Sequence, residues 1–187
     1  MASYTLFGID GKPIDHHDLQ DKAVWCKDGY KKEEVFVQLH GSSLGLIINP
    51  DKITNPYAPD LLNNQTSNLG DLKVQNTPFF KAEKLYSIPP KYAVVFNHKD
   101  RVRYNRDYPD IDIYYWVDWL AVGFKMGNNR IDIEPLRGVW KISMKSLESL
   151  LKESDLHEYQ QRQNDTKGNA RSSYVLDIRD SRFQQLI

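Results

Sequence analysis

Residues 70–76 read Gly-Asp-Leu-Lys-Val-Gln-Asn, and the reading of this run decides the fold. Side chains of a strand alternate between two faces with a period of two. As a strand, the run carries Asp71, Lys73 and Gln75 on one face and Leu72 and Val74 on the other. The apolar pair anchors the strand in a core, so the polar triplet rides on a rigid element. Eleven residues upstream of Asp71, Pro59-Asp60 is followed by Leu61-Leu62, which brings a second carboxylate to the start of a second strand.

Working outward, the segment 44–48 is a short apolar run rich in isoleucine and reads as a buried strand. Residues 49–59 hold three prolines and read as a loop. Strands are expected at 60–63 and 69–75, joined by a turn over 64–68. Upstream, 31–39 reads as a helix with Phe36, Val37 and Leu39 apolar, broken by Gly41-Ser42-Ser43. Downstream, Thr77-Pro78 is a helix start, with a hydroxyl cap and proline at the first position. That helix is expected to reach about Tyr86, and a strong strand follows at 92–97. The core order is therefore helix, strand, strand, strand, helix, strand: an α/β fold with a mixed sheet flanked by helices.

The flanks are also legible. Tyr4 to Ile9 reads as a strand with Asp10-Gly11 as its turn, and Asp15 as the cap of a helix ending near Gly29. Residues 98–106 are polar and basic. Residues 111–119 alternate as a half-buried strand, and further strands are expected near 121–124, 130–133 and 137–142. Ser143 caps a helix carrying Leu147, Leu150 and Leu151. Residues 157–172 have almost no apolar side chains and read as a long loop or a disordered segment. A last strand at 173–178 and a tail helix at 179–187 complete the chain.

The chain of 187 residues fits one domain, with the core at about 15–100 and an elaboration at about 101–187. It is 40% hydrophobic and 27% charged, and no apolar run approaches the roughly 20 residues that span a bilayer. The first residues lack the basic and apolar regions of a secretory signal. Cys26 is the only cysteine, which excludes an intrachain disulfide framework and a multi-cysteine zinc site. A single cysteine, read as a small buried apolar residue, suits a reducing cytosol, so the expected location is cytoplasmic. Lys plus Arg and Asp plus Glu number 25 each, so no global field concentrates the protein on nucleic acid. His16 and His17 project about 100° apart on a helix and make a poor metal pair.

A carboxylate beside a lysine suits metal-assisted phosphodiester hydrolysis: the carboxylate holds a hard cation and the lysine places or activates a water. The element order together with Glu33, Pro59-Asp60 and Asp71-Leu72-Lys73 resembles the PD-(D/E)XK nuclease superfamily, the restriction-endonuclease-like group. The family's pattern is a glutamate on the first core helix, an aspartate at the second strand and an acid-x-lysine on the third. The resemblance covers roughly residues 29–100. Pro50-Asp51 and Pro109-Asp110 repeat part of the motif. The first sits in a Pro-rich loop without the following apolar pair, and the second has no acid-x-lysine at a suitable distance downstream.

The resemblance implies a Mg²⁺-dependent endonuclease acting on DNA, of restriction, phage or repair type, with Mn²⁺ able to substitute. Asp60 and Asp71 are then the metal ligands, helped by the Leu72 carbonyl. Lys73 orients or deprotonates the attacking water, or stabilises charge on the phosphorane. Glu33 reaches the metal directly or through water, and is preferred to Glu34 because Phe36 and Val37 share its face. Gln75 positions a metal-bound water or a phosphate. Arg101, Arg103 and Arg106, interleaved with Tyr104, are expected to grip phosphates and stack on bases. The implied partners are DNA and a second copy of the chain, so that both strands of a duplex are cut; the aromatic run 114–119 is read as core first and as a dimer contact second. No nucleotide cofactor and no membrane is implied. The rival readings are a nuclease-like protein that only binds or regulates, and an interaction protein whose likeness is accidental. The bland reading of Asp71 and Lys73 is a solvated ion pair on an edge strand.

Overall fold

A computed structural model of the chain describes residues 4–14, 31–158 and 172–187. The expected helix at 15–29, with His16, His17 and Cys26, lies outside the described residues, as does most of the polar segment 157–172.

The structure is mixed α/β. Strands β1 (Tyr4–Gly8) and β2 (Pro13–Ile14) form a hairpin. Residues 31–44 form helix α1, whose middle, Val37–Gly41, is wound as a π-helix. The strands β3 (Leu46–Ile48), β4 (Leu61–Asn63) and β5 (Leu69–Gln75) follow as an antiparallel meander. A short helix α2 (Ala82–Tyr86), strand β6 (Ala93–Asn97) and helix α3 (His98–Asp107) lead to β7 (Asp112–Asp118). Then come β8 (Ala121–Met126), β9 (Asn129–Asp132), β10 (Arg137–Ser143), helix α4 (Met144–Lys152), β11 (Leu156–His157), β12 (Ser173–Asp177) and β13 (Gln184–Gln185).

The central sheet has six strands in the order β13-β10-β7-β5-β4-β3. All its pairs are antiparallel except β5 with β7, which run parallel with Asp71 beside Ile113 and Lys73 beside Tyr115. A parallel pair needs a crossover, here the segment α2, β6 and α3. Two smaller sheets accompany it, β2-β1-β8-β9 and β11-β12-β6.

The period-two alternation of β5 and β7 sorts side chains into two cores. Leu72 and Tyr114 pack with Phe36, Leu46, Leu61 and Val139, which puts α1 on one face of the sheet. Ile113, Tyr115 and Val117 face the other way, into the larger core with Phe96, Tyr104, Leu147 and Leu151 from β6, α3 and α4. Gly70 is required where the two halves meet: a Cβ there would lie 2.7 Å from Tyr114 Cε2.

Several expectations need correction. The strand at 93–97 is not the fourth strand of the central sheet; it pairs with β12, and β7 takes the place beside β5. The polar, basic stretch after it is a ten-residue helix. Gly41-Ser42-Ser43 does not break α1: Gly41 ends the π-wound stretch, Ser42 and Ser43 continue as α-helix, and the helix stops at Gly45, whose φ of 65° is left-handed. Of the helix expected from Pro78, only Ala82–Tyr86 is α-helical. The tail is not a helix, because Gln184 and Gln185 add to the sheet beside β10. β7 is not half-buried; flanked by β5 and β10, it hides Tyr114 on one face and Tyr115 on the other. Its aromatic run is thus mainly core.

Candidate active site

The β4–β5 pairing creates the site. Leu61 lies opposite Gly70, so the next step of the register sets Asp60 opposite Asp71. The Asp60 carboxylate is fastened across that gap, since Leu72 N–H donates to Asp60 Oδ2 at 3.0 Å. Asn49 holds the other side. Its backbone N–H donates to the Asp60 carbonyl at 2.9 Å and its side-chain amide to the Pro59 carbonyl at 2.9 Å.

Asp71, Lys73 and Gln75 share the face of β5 that meets β6 and α3, as their spacing predicts. The Asp71 and Lys73 side chains are only 5% and 16% exposed, with Lys73 Nζ 2.7 Å from Asp71 Oδ2. A solvated ion pair on an edge strand is therefore not what they form. Lys73 Nζ also donates to Asp100 Oδ2 at 2.6 Å, and the Tyr104 hydroxyl donates to Asp71 Oδ1. Arg103 stacks 4.5 Å from the centre of the Tyr104 ring and hydrogen-bonds its hydroxyl. Three buried side-chain atoms have no hydrogen-bond partner among the described residues: Asp71 Oδ2, Arg103 Nε and the Tyr115 hydroxyl. For Asp71 Oδ2 the lysine contact is thus close but poorly directed, an ion pair more than a hydrogen bond.

Burial pushes the Asp71 carboxyl up to about 6; the Lys73 charge pulls it down and the neighbouring Asp60 charge adds to the rise. Burial alone would lower Lys73, but Asp71, Tyr104 and Asp100 outweigh it and hold the lysine well above its usual range. Asp100 is held below the usual carboxylate range: burial opposes this, and Lys73 and Arg103 prevail.

On the other side of Asp60 stands a residue that no sequence pattern singles out. Lys52 Nζ lies 2.5 Å from Asp60 Oδ1 and 2.5 Å from Glu33 Oε2. Lys52 rides on the 3₁₀ turn Pro50–Ile53, capped by Asn49, whose side chain accepts from Asp51 N–H at 3.1 Å. Glu33 faces this cluster, whereas Glu34 is exposed. Asp51, of the discarded Pro50-Asp51 pair, is exposed as well.

Among the described residues, no group of three or more acidic, histidine or cysteine side chains is gathered closely enough to hold a metal ion. The donor chemistry nonetheless suits a hard cation in part. Asp60 and Asp71 offer carboxylate oxygens, and Asp71 Oδ2 is buried without a hydrogen bond. Glu33 joins them only if the Lys52 ammonium leaves the space between Glu33 and Asp60.

Gln75 is committed elsewhere. Its amide donates to the Val95 carbonyl at 2.9 Å and accepts from Val95 N–H at 3.2 Å, so it stitches β5 to β6. Tyr104 is fully buried and has no face open to a base, which corrects its expected stacking role. Arg101 is turned to Glu148, at 2.8 and 2.5 Å, and to Tyr174 at 2.5 Å, joining α3 to α4 and β12. Arg106 is exposed and pairs with Asp107 at 2.7 Å. Arg103 points at the Asp71 cluster, 3.8 Å from carboxylate oxygens of Asp71 and Asp100. The four residues thus form no continuous basic strip.

No protein-family model, curated protein or solved structure matches the chain. No helix among the described residues is long and apolar enough to cross a membrane.

Proposed function

We propose that the chain is a metal-dependent nuclease of the PD-(D/E)XK type that hydrolyses phosphodiester bonds in DNA. The observation that carries this reading is the Leu72 N–H to Asp60 Oδ2 bond, which ties the Pro-Asp carboxylate to the strand bearing the acid-x-lysine. The meander β3-β4-β5 after α1, with β5 parallel to β7 across the crossover α2, β6 and α3, is in keeping with that reading.

Asp60 and Asp71 would hold the ion, with Glu33 as a third carboxylate once Lys52 is displaced. A bound Mg²⁺ supplies Lewis-acid stabilisation of the charge that grows on the phosphoryl oxygens. Lys73, kept as an ammonium by its carboxylate neighbours, orients the attacking water or stabilises that charge; it is a poor proton acceptor in this setting. Asp100 and Tyr104 do not touch substrate in this scheme. They fix the rotamers of Lys73 and Asp71 by hydrogen bonds.

A second reading, a nuclease-like protein that binds or regulates without cutting, draws on the ammonium of Lys52 sitting between two of the three carboxylates. Incubation of the protein with duplex, single-stranded and branched DNA, with Mg²⁺, Mn²⁺ or EDTA, separates the two. Cleavage that requires the metal supports the first, and binding without cleavage supports the second.

A further inference from the structure

Lys52 has no part in the motif, yet it makes two of the closest polar contacts at the site. Its side chain is 11% exposed, and those of Glu33 and Asp60 are 14% and 17% exposed. Two carboxylates brought together in a partly desolvated place repel one another unless a cation lies between them. The Lys52 ammonium meets that need at 2.5 Å from each. It is also delivered by a built element. The Pro50–Ile53 turn is capped by Asn49, and Asn49 is itself bonded to the Pro59 and Asp60 carbonyls. The backbone that carries the cation is thereby locked to the backbone that carries the carboxylate. Four rotatable side-chain bonds separate that locked backbone from the charge, so the ammonium can leave while the turn stays.

We propose that Lys52 is a resident counter-cation of the site, exchanged for the divalent ion when the ion binds. Ion binding is then a cation exchange: Lys52 swings to solvent as Glu33 and Asp60 become ligands. This rests on the metal-dependent reading above and deepens it. The ion's affinity includes the work of displacing the lysine, so the protein holds divalent ions more weakly than its three carboxylates alone would. The metal-free site stays ordered in return.

The test uses the wild-type chain and two readouts. Mn²⁺ binding is measured by calorimetry, and the rate of Lys52 acetylation by a water-soluble acylating reagent is followed by peptide mass spectrometry with and without saturating Mn²⁺. Mn²⁺ is expected to raise the Lys52 rate at least about fivefold while an exposed reference, Lys99, is unchanged. Calorimetry of Lys52→Met is expected to give Mn²⁺ binding at least about tenfold tighter than wild type. Mn²⁺ binding with no rise in Lys52 modification overturns the exchange and leaves the nuclease reading standing. Equal or weaker binding by folded Lys52→Met does the same. Absence of Mn²⁺ binding in wild type overturns both. If Lys52→Met does not fold, the labelling experiment on the wild-type chain decides alone.

Discussion

Tyr104 donates its hydroxyl to Asp71 Oδ1 from inside the core, although the two residues lie 33 positions apart on α3 and β5. The crossover helix that makes β5 and β7 parallel neighbours therefore also fixes the rotamer of the buried carboxylate. Fold and candidate site are coupled through this bond and through the Lys73 bond to Asp100 on the same helix.

Tyr104→Phe deletes that donor and keeps the ring. A buried carboxylate oxygen left unsatisfied costs about 1–3 kcal/mol. Urea unfolding in EDTA should report a loss of this size in an otherwise wild-type chain, and a smaller loss in an Asp71→Asn background. Equal losses in both backgrounds would mean that the hydroxyl acts on something other than Asp71.

Asp71 also sets a pH dependence. Burial raises its folded-state carboxyl to about 6, above its ordinary value of 3.8. A raised carboxyl favours the protonated folded protein. Its contribution to stability is fully present below about 3.8 and is lost as pH rises through about 6. In EDTA, wild type should therefore gain on Asp71→Asn as pH falls from 7 to 4, by up to about 3 kcal/mol for a shift of about two units. Metal binding has the opposite dependence, because the ion needs the carboxylate. Mn²⁺ affinity by calorimetry should fall as pH drops through 6. A flat stability difference between pH 4 and 7 would contradict the burial argument.

Arg101 is expected to act in stability and not in nucleic-acid binding. It forms a two-pronged bond to Glu148 and a third bond to Tyr174. Arg101→Ala should cost about 1.5–3 kcal/mol by urea unfolding, since bonds to charged groups are worth that much. In a Lys73→Ala background, the salt dependence of DNA binding should change by far less than the roughly 0.9 unit of slope that one phosphate contact contributes. A full unit of change would return Arg101 to the phosphate-binding face.

Much of the site was legible because β5 alternates so plainly. Leu72 and Val74 against Asp71, Lys73 and Gln75 gave the strand, its two faces and its apolar anchor. The partner of β5 was misread because Tyr92 to Asn97 is apolar enough for any buried strand, and nothing local tells which sheet a strand joins. Helix α3 was missed for a related reason. In His-Lys-Asp-Arg-Val-Arg-Tyr-Asn-Arg-Asp only Tyr104 is buried, so there is no apolar stripe to read. Asp100, one turn before Tyr104, becomes visible only once the helix is known. Lys52 had no signal at all, because its role comes from the folding of a Pro-rich loop onto Asp60. The tail misled because Gln184 and Gln185 pair with β10 through the backbone, which leaves no trace in side-chain pattern.

Asp60→Asn should keep the Leu72 N–H bond, because an amide oxygen can accept it, while removing one negative charge from the Lys52 contact. The fold should survive, with near-wild-type circular dichroism, because Lys52 keeps Glu33 as its partner. Mn²⁺ binding should weaken at least about tenfold. Unaltered binding would remove Asp60 from the ligand set.

The central claim is most directly tested by DNA cleavage with purified wild type, Asp71→Asn and Lys73→Ala, each checked for folding, in Mg²⁺ and in EDTA. Wild type should cut only with the metal. Both variants should be at least about a hundredfold slower: Lys73→Ala loses a positioned charge-stabilising group and Asp71→Asn loses a charged ligand of the ion. Cleavage by wild type that persists in EDTA, or variants that cut at the wild-type rate, would contradict the account.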